Sequence, residues 1–236
     1  MSENLSPPIL EFCEVTWLTD SHNLMDLCDA SFVLRPADLM LVQLPARSER
    51  VPICELAQGL TTPVRGSVRF EGVCWDDAHP HEQARMRGRI GRVFEWQGWV
   101  SNLNVAENVT LAQRHHTHRP EQEILEEAED MARMLGLEGV PSLRPHLVRN
   151  SDLRLMEWVR AFLGRPALVL LEKPEVGAPS DSVERLLDLV SRARGAGSAV
   201  IWTSGGHYIW THERLKDAAK YAIRGNRMVA AESEDG

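Results

Sequence analysis

The chain has 236 residues, 43% apolar and 25% charged, with 26 lysines and arginines against 34 aspartates and glutamates, a net charge of −8. That acidity excludes the basic footprint of a nucleic-acid-binding protein, and no apolar run approaches the eighteen or so residues of a membrane span. Residues 1–8 lack the basic flank and apolar stretch of a secretory signal, so the chain reads as cytoplasmic, with no direct membrane insertion.

Leu10, Phe12 and residues 15–18 predict a strand, and residues 30–34 a second, separated by a polar turn at 19–23. Residues 38–44, almost continuously apolar, suit a strand covered on both faces. A loop over 44–52 follows, then a helical pattern at Ile53, Leu56, Ala57 and Leu60, closed by Gly59. Strand, loop and helix in that order form the layout of a phosphate-binding unit. Residues 66–75 return as extended structure, and residues 90–94 form a short apolar strand.

A helix begins at Val105. Residues 121–135 give a clear amphipathic helix that stops at Gly136. Ser151 caps a further helix to Leu163, ended by Gly164 and Pro166. Residues 167–171 are a buried strand, 179–194 a helix, 198–202 a buried strand, and 221–229 a hairpin around Gly225-Asn226. Strands alternating with helices imply an α/β sandwich with a mostly helical insertion over about residues 97–160. Cys13, Cys28, Cys54 and Cys74 match neither a zinc ribbon nor a CxxC pair. His115, His116 and His118 lack a matching Cys or acidic pair, and with Pro120 they read as a solvated loop, so no metal is expected.

From about Leu10 to Val229 the order of elements resembles the ATPase subunit of ABC transporters. Leu56-Ala57-Gln58-Gly59-Leu60 matches the end of that family's first helix, Ser101-Asn102-Leu103-Asn104-Val105-Ala106-Glu107-Asn108-Val109 the start of its helical subdomain, and Val159-Arg160-Ala161-Phe162-Leu163 its Ala-Arg-Ala-Leu string. The resemblance implies a P-loop NTPase-like cassette: a RecA-like mixed-sheet core with an antiparallel β subdomain and a helical subdomain. It implies a single domain over 8–232, the helical subdomain at 97–160, and disordered tails at 1–7 and 233–236.

The motif positions themselves depart from the family pattern. A phosphate loop needs glycines whose N–H groups approach phosphate, a lysine, and a hydroxyl for magnesium. The matching stretch carries Leu44, Arg47, Ser48 and Glu49, with Arg50 for the lysine, Val51 for the hydroxyl residue, and Pro52 deleting an N–H donor. Glu49 falls near the positive end of the helix, where a carboxylate takes the electrostatic role of a phosphate. Glu95 stands at the Q-loop glutamine. Arg149, Asn150 and Ser151 lie within the signature stretch. Glu172 and Lys173 stand at the Walker B aspartate and catalytic glutamate, and Ser204 at the switch histidine, with His207 three residues on. Trp17 lies nearest the position of the adenine-stacking aromatic and reads as a strand core residue.

The resemblance with these departures implies a pseudo-ATPase with no catalytic residue and no cofactor. Its expected partners are a transmembrane permease, received in a groove that Trp96 and Trp99 either enrich or merely adjoin as ordinary half-buried loop residues, and a second ABC ATPase subunit, an intact paralogue or self. Opposite an intact partner, Arg149 would reach that partner's γ-phosphate. The location implied is cytoplasmic, peripheral to the inner membrane through the permease. Two other readings stand beside it: a divergent ATPase using ATP and Mg with Arg50 and Glu172 as substitutes, and a soluble regulatory or binding module on the same scaffold.

Overall fold

The run Leu39-Met40-Leu41-Val42 is apolar without alternation, and in the computed structural model all four side chains are buried, as a strand covered on both faces requires. The structure describes residues 6–20, 24–45 and 50–231. To residue 87 these form β1 (Leu10–Trp17), β2 (Leu27–Leu34), β3 (Leu39–Gln43), α1 (Ile53–Ala57), β4 (Arg65–Phe70), β5 (Val73–Cys74) and α2 (Pro80–Arg87). Then come β6 (Ile90–Val93), α3 (Val105–His116), α4 (Glu121–Met134), α5 (Asn150–Phe162), β7 (Leu168–Glu172) and α6 (Val183–Gly195). The chain closes with β8 (Ala199–Ser204), α7 (His207–Trp210), β9 (Ala219–Arg224) and β10 (Arg227–Ala230).

Two compact units result, one from residues 1–87 with 199–236, the other from 88–198. In the first, β4, β1 and β2 pair antiparallel, β10 joins β2 and β9, and β9, β3 and β8 run parallel. Phe12 and Phe32 stack at 4.4 Å across the β1–β2 pair. Behind α1, Gly59 adopts φ +58°, and a Cβ there would lie 2.4 Å from the buried ring of Trp75. The glycine is needed for both reasons. Arg87 secures this end of α1, donating from Nε to the Gln58 carbonyl and from Nη2 to that of Gly59.

In the second unit β6 and β7 pair in parallel, from Ile90 opposite Leu168 to Val93 opposite Leu171. Against β6 lies α5, so close that a Cβ on Gly91 would collide with the Ala161 carbonyl. Nearly every face of α5 is buried, the pattern of a central helix.

Several expectations change at this level. Helix α2 was not foreseen because its sequence is polar nearly all round, with only Met86 buried. His115 and His116 lie on the last turn of α3, not in a loop, with their rings edge to face at 4.8 Å. The cap of α5 is Arg149 rather than Ser151, and it makes no side-chain capping bond. A short 3-10 turn at Ser180–Ser182 precedes α6, which therefore starts four residues later than the pattern suggests. Trp17 is half-buried at the end of β1, its indole Nε1 donating to Thr61 Oγ1, so it is not a core residue.

Candidate functional site

In the first unit, the loop after β3 is anchored where Leu44 N–H donates to the Ser204 carbonyl at 3.0 Å. Ser48 and Glu49 lie outside the described residues. Arg50 is in extended backbone, bridging in parallel to Leu24, with its carbonyl accepting from Met25 N–H. Its guanidinium pairs with Glu55 at 2.7 Å. Helix α1 has only five residues and is capped by Pro52, which offers neither N–H nor side-chain acceptor. Val51, just before it, has no hydroxyl. Ser204 ends β8 buried, its Oγ accepting from Gly206 N–H at 3.0 Å, while His207 is exposed on α7. A hydroxyl tied to its own turn is a local backbone cap.

In the second unit, four charges gather where β6 and β7 end. Arg92 on β6 pairs through Nε with Glu172 on β7, both side chains being almost wholly buried. Lys173 Nζ pairs with Glu95 Oε1 at 2.6 Å. Lys173 has φ +41°, the left-handed region that a non-glycine residue occupies only when its surroundings impose it. Those surroundings are supplied by Arg154 of α5, 3% exposed. Its Nη2 donates to the carbonyls of Lys173 at 2.7 Å and Glu172 at 3.3 Å, its Nη1 to that of Phe94 at 2.7 Å, and its Nε to that of Pro174 at 3.2 Å. The same Nη1 pairs with Glu157, which is fully buried.

The segment after Glu95 is set by Asn104 and Asn108. Asn104 and Glu107 form a reciprocal capping box at the start of α3. Asn108 accepts from Val100 N–H and donates to the carbonyls of Val100, Leu103 and Asn104. Trp96 stands 71% exposed, whereas Trp99 is half-buried beneath Arg160, whose guanidinium carbon lies 4.8 Å from the ring. Burial pushes the Arg160 guanidinium below the ordinary arginine range, and the Glu157 carboxylate opposes that shift. At the other end of α5, Asn150 and Ser151 fill the first turn, and the exposed Arg149 reaches Asp152 at 3.0 Å.

No family model matches the sequence. Among curated proteins, the intermembrane phospholipid transport system ATP-binding protein MlaF of Haemophilus influenzae is 25% identical over 152 residues, 64% of this chain and 58% of that protein. The lipoprotein-releasing system ATP-binding protein LolD of Buchnera aphidicola is 22% identical over 161 residues, 68% and 70% of the two. The match thus spans somewhat over half the length of the first relative. A solved ATP-binding subunit of an ABC transporter superposes with a TM-score of 0.80 at 20% identity, over 96% of this chain and 90% of that one. A dimeric ATP-binding cassette in a post-hydrolysis state, bound to ADP and Pi, gives 0.82 at 17% identity, over 96% and 99%. This chain has the fold of an ATP-binding cassette.

ATP and magnesium are the groups such a fold implies. Glu172, where the family resemblance puts the metal ligand, is paired with Arg92, and Lys173 brings a second cation where a divalent ion needs carboxylate or water oxygens. Arg50 is turned onto Glu55 in extended backbone. These residues do not fit a magnesium nucleotide. Among the described residues no group of three or more His, Cys, Asp or Glu is placed to hold a metal ion, and no helix is long and apolar enough to cross a membrane.

The sequence reading missed Arg92 and Arg154. For Arg92 a signal existed, since a charge inside a buried strand demands a partner. Arg154 gave none: at its place in an amphipathic pattern a solvated arginine looks the same.

Proposed function

We propose that this cassette neither holds magnesium nucleotide nor hydrolyses it, and that it serves an ABC-type transport complex by docking on a membrane permease and pairing with a second, ATP-binding cassette. One observation carries the reading: the Lys173–Glu95 and Arg92–Glu172 ion pairs fill the positions where the family resemblance puts the catalytic carboxylate, the Q-loop glutamine and the metal ligand. Hydrolysis needs a carboxylate that orients and deprotonates water and a metal that gathers the phosphate charge. A protonated lysine accepts no proton, and a carboxylate paired with arginine has little charge left for a metal.

The scaffold beside these positions is intact. The capping box at Asn104 and the Asn108 bonds hold the loop over residues 100–104 that opens the helical part, and Trp96 is presented outward beside it. A large exposed aromatic next to a rigid loop suits a protein partner. The relatives in phospholipid transport and lipoprotein release favour a permease that handles lipid-bearing cargo, with this chain at its cytoplasmic side, peripheral to the membrane.

Isothermal titration of the purified chain with ATP and magnesium, run beside a phosphate-release assay, tests the reading. Neither heat of binding nor turnover is expected. Affinity purification from solubilised native membranes should recover a polytopic protein and a second cassette. Saturable micromolar ATP binding with turnover, or recovery of the chain alone, overturns the proposal.

A further inference from the structure

Glu95 and Glu172 are neighbours: the Glu95 amide nitrogen lies 3.5 Å from Glu172 Oε2. Two carboxylates on adjoining strand ends, both largely withdrawn from water, are each costly without a positive charge beside them. In many proteins a divalent cation supplies it. Here the chain supplies it, from two sides. Arg92, one residue before the end of β6, faces Glu172 with its side chain 3% exposed. Lys173, the residue directly after β7, faces Glu95 with its side chain 21% exposed. Its left-handed backbone is stabilised by the Arg154 bond to its own carbonyl.

We infer that Arg92 and Lys173 act as tethered cations in place of a metal ion, locking the ends of β6 and β7 in one arrangement that needs neither metal nor nucleotide. The inference deepens the reading of a non-hydrolysing cassette and rests on it. A bound ion joins carboxylates only while it is present and at a concentration above its dissociation constant. An arginine and a lysine fixed by the fold join them permanently. The 88–198 unit is therefore presented to a partner in a single state, whatever the nucleotide supply.

The test removes the tethered cations and offers a free one. Arg92→Gln/Lys173→Gln leaves two carboxylates without these counter-charges. Manganese(II) serves as the probe, with binding read from the loss of the free-ion paramagnetic resonance signal and from the change in Tm. The unmodified chain is expected to leave the signal and its Tm unchanged. The double variant is expected to bind one manganese ion at least about tenfold more tightly than the unmodified chain and to gain Tm with it. Equal binding by the two proteins overturns the inference, as does a folded double variant that ignores manganese.

A double variant that does not fold is answered by a second comparison. Lys173→Gln alone should lower Tm, and Glu95→Gln/Lys173→Gln should regain at least half the loss, because removing both members of a pair spares the orphaned charge. No regain overturns the inference. Neither experiment contains nucleotide. ATP turnover by the unmodified chain would refute the function reading, while the manganese result decides this one.

Discussion

Arg154→Met is the sharpest probe of what holds the candidate site together. Methionine keeps most of the aliphatic stem and deletes the charge with its five donated bonds, four of them to the carbonyls of Phe94, Glu172, Lys173 and Pro174. It also leaves Glu157, fully buried, without the ion pair that Arg154 makes at 2.6 Å. The other oxygen of Glu157 already has no hydrogen-bond partner among the described residues. Orphaning one member of a buried pair costs about 3–5 kcal/mol. Each buried carbonyl that loses its donor adds roughly 1 kcal/mol, less where backbone relaxation finds a substitute. Field compensation from Arg160, which Glu157 already feels, trims the total. The expected loss is about 4–6 kcal/mol, a large share of the roughly 5–15 kcal/mol by which a domain is stable, and about 10–20 °C in Tm at this chain length. Urea denaturation followed by tryptophan fluorescence and far-ultraviolet circular dichroism measures it. Arg154→Met/Glu157→Gln should recover at least half. A single variant within about 1 kcal/mol of the unmodified chain would refute the assignment of Arg154 as the clamp on these strand ends.

Three further outcomes are expected. Gly59→Ala should cost about 1–3 kcal/mol, read as a lower urea midpoint, because the new Cβ meets the Trp75 ring in a left-handed backbone. Asn104→Ala should cost about 0.5–2 kcal/mol and quicken amide hydrogen exchange over residues 100–108, since the capping box and the Asn108 loop share that turn. His116 is held below the ordinary histidine range by burial and by His115. Its folded pKa thus lies under its unfolded one, so its contribution is complete above the unfolded value and fades as pH falls through the folded one. His116→Gln should therefore flatten the decline of Tm between about pH 7 and pH 5. A decline as steep as that of the unmodified chain would count against this reading.

How far the sequence carries the reader depends on which signal each element writes. Strands β3, β7 and β8 are mainly apolar and buried along almost their whole length, and were legible because apolar runs that short, bounded by turn residues, suit a covered strand. The amphipathic α4 was equally plain, while α2 was invisible since its packing is made by one methionine on a polar helix. The fold family followed from strings such as 101–109, whose structural meaning is a cap and an asparagine-held loop. At the site, sequence placed Glu95, Glu172 and Lys173 as separate departures from a pattern. The resemblance put them around one nucleotide position but did not pair them, because the pairing depends on the parallel register of β6 with β7, and register is a tertiary fact.

That pairing bears on how the departures arose as chemistry. If a nucleotide site simply decayed, each substitution would be judged alone, and a lysine for a carboxylate or a glutamate for an amide would leave a charge half-buried without a partner, at a cost of several kcal/mol. The structure has instead a partner of opposite sign at three of these positions: Lys173 for Glu95, Arg92 for Glu172, and Glu55 for Arg50. Against the pattern that the family resemblance implies, Glu95 and Lys173 exchange polarity together, an acid standing for an amide and a base for an acid. Either change alone is destabilising, and only the two together restore neutrality. A double-mutant cycle on Glu95 and Lys173 therefore separates decay from reorganisation: coupling near zero means two unrelated losses, whereas a coupling above about 1 kcal/mol means one rebuilt contact in place of the chemistry.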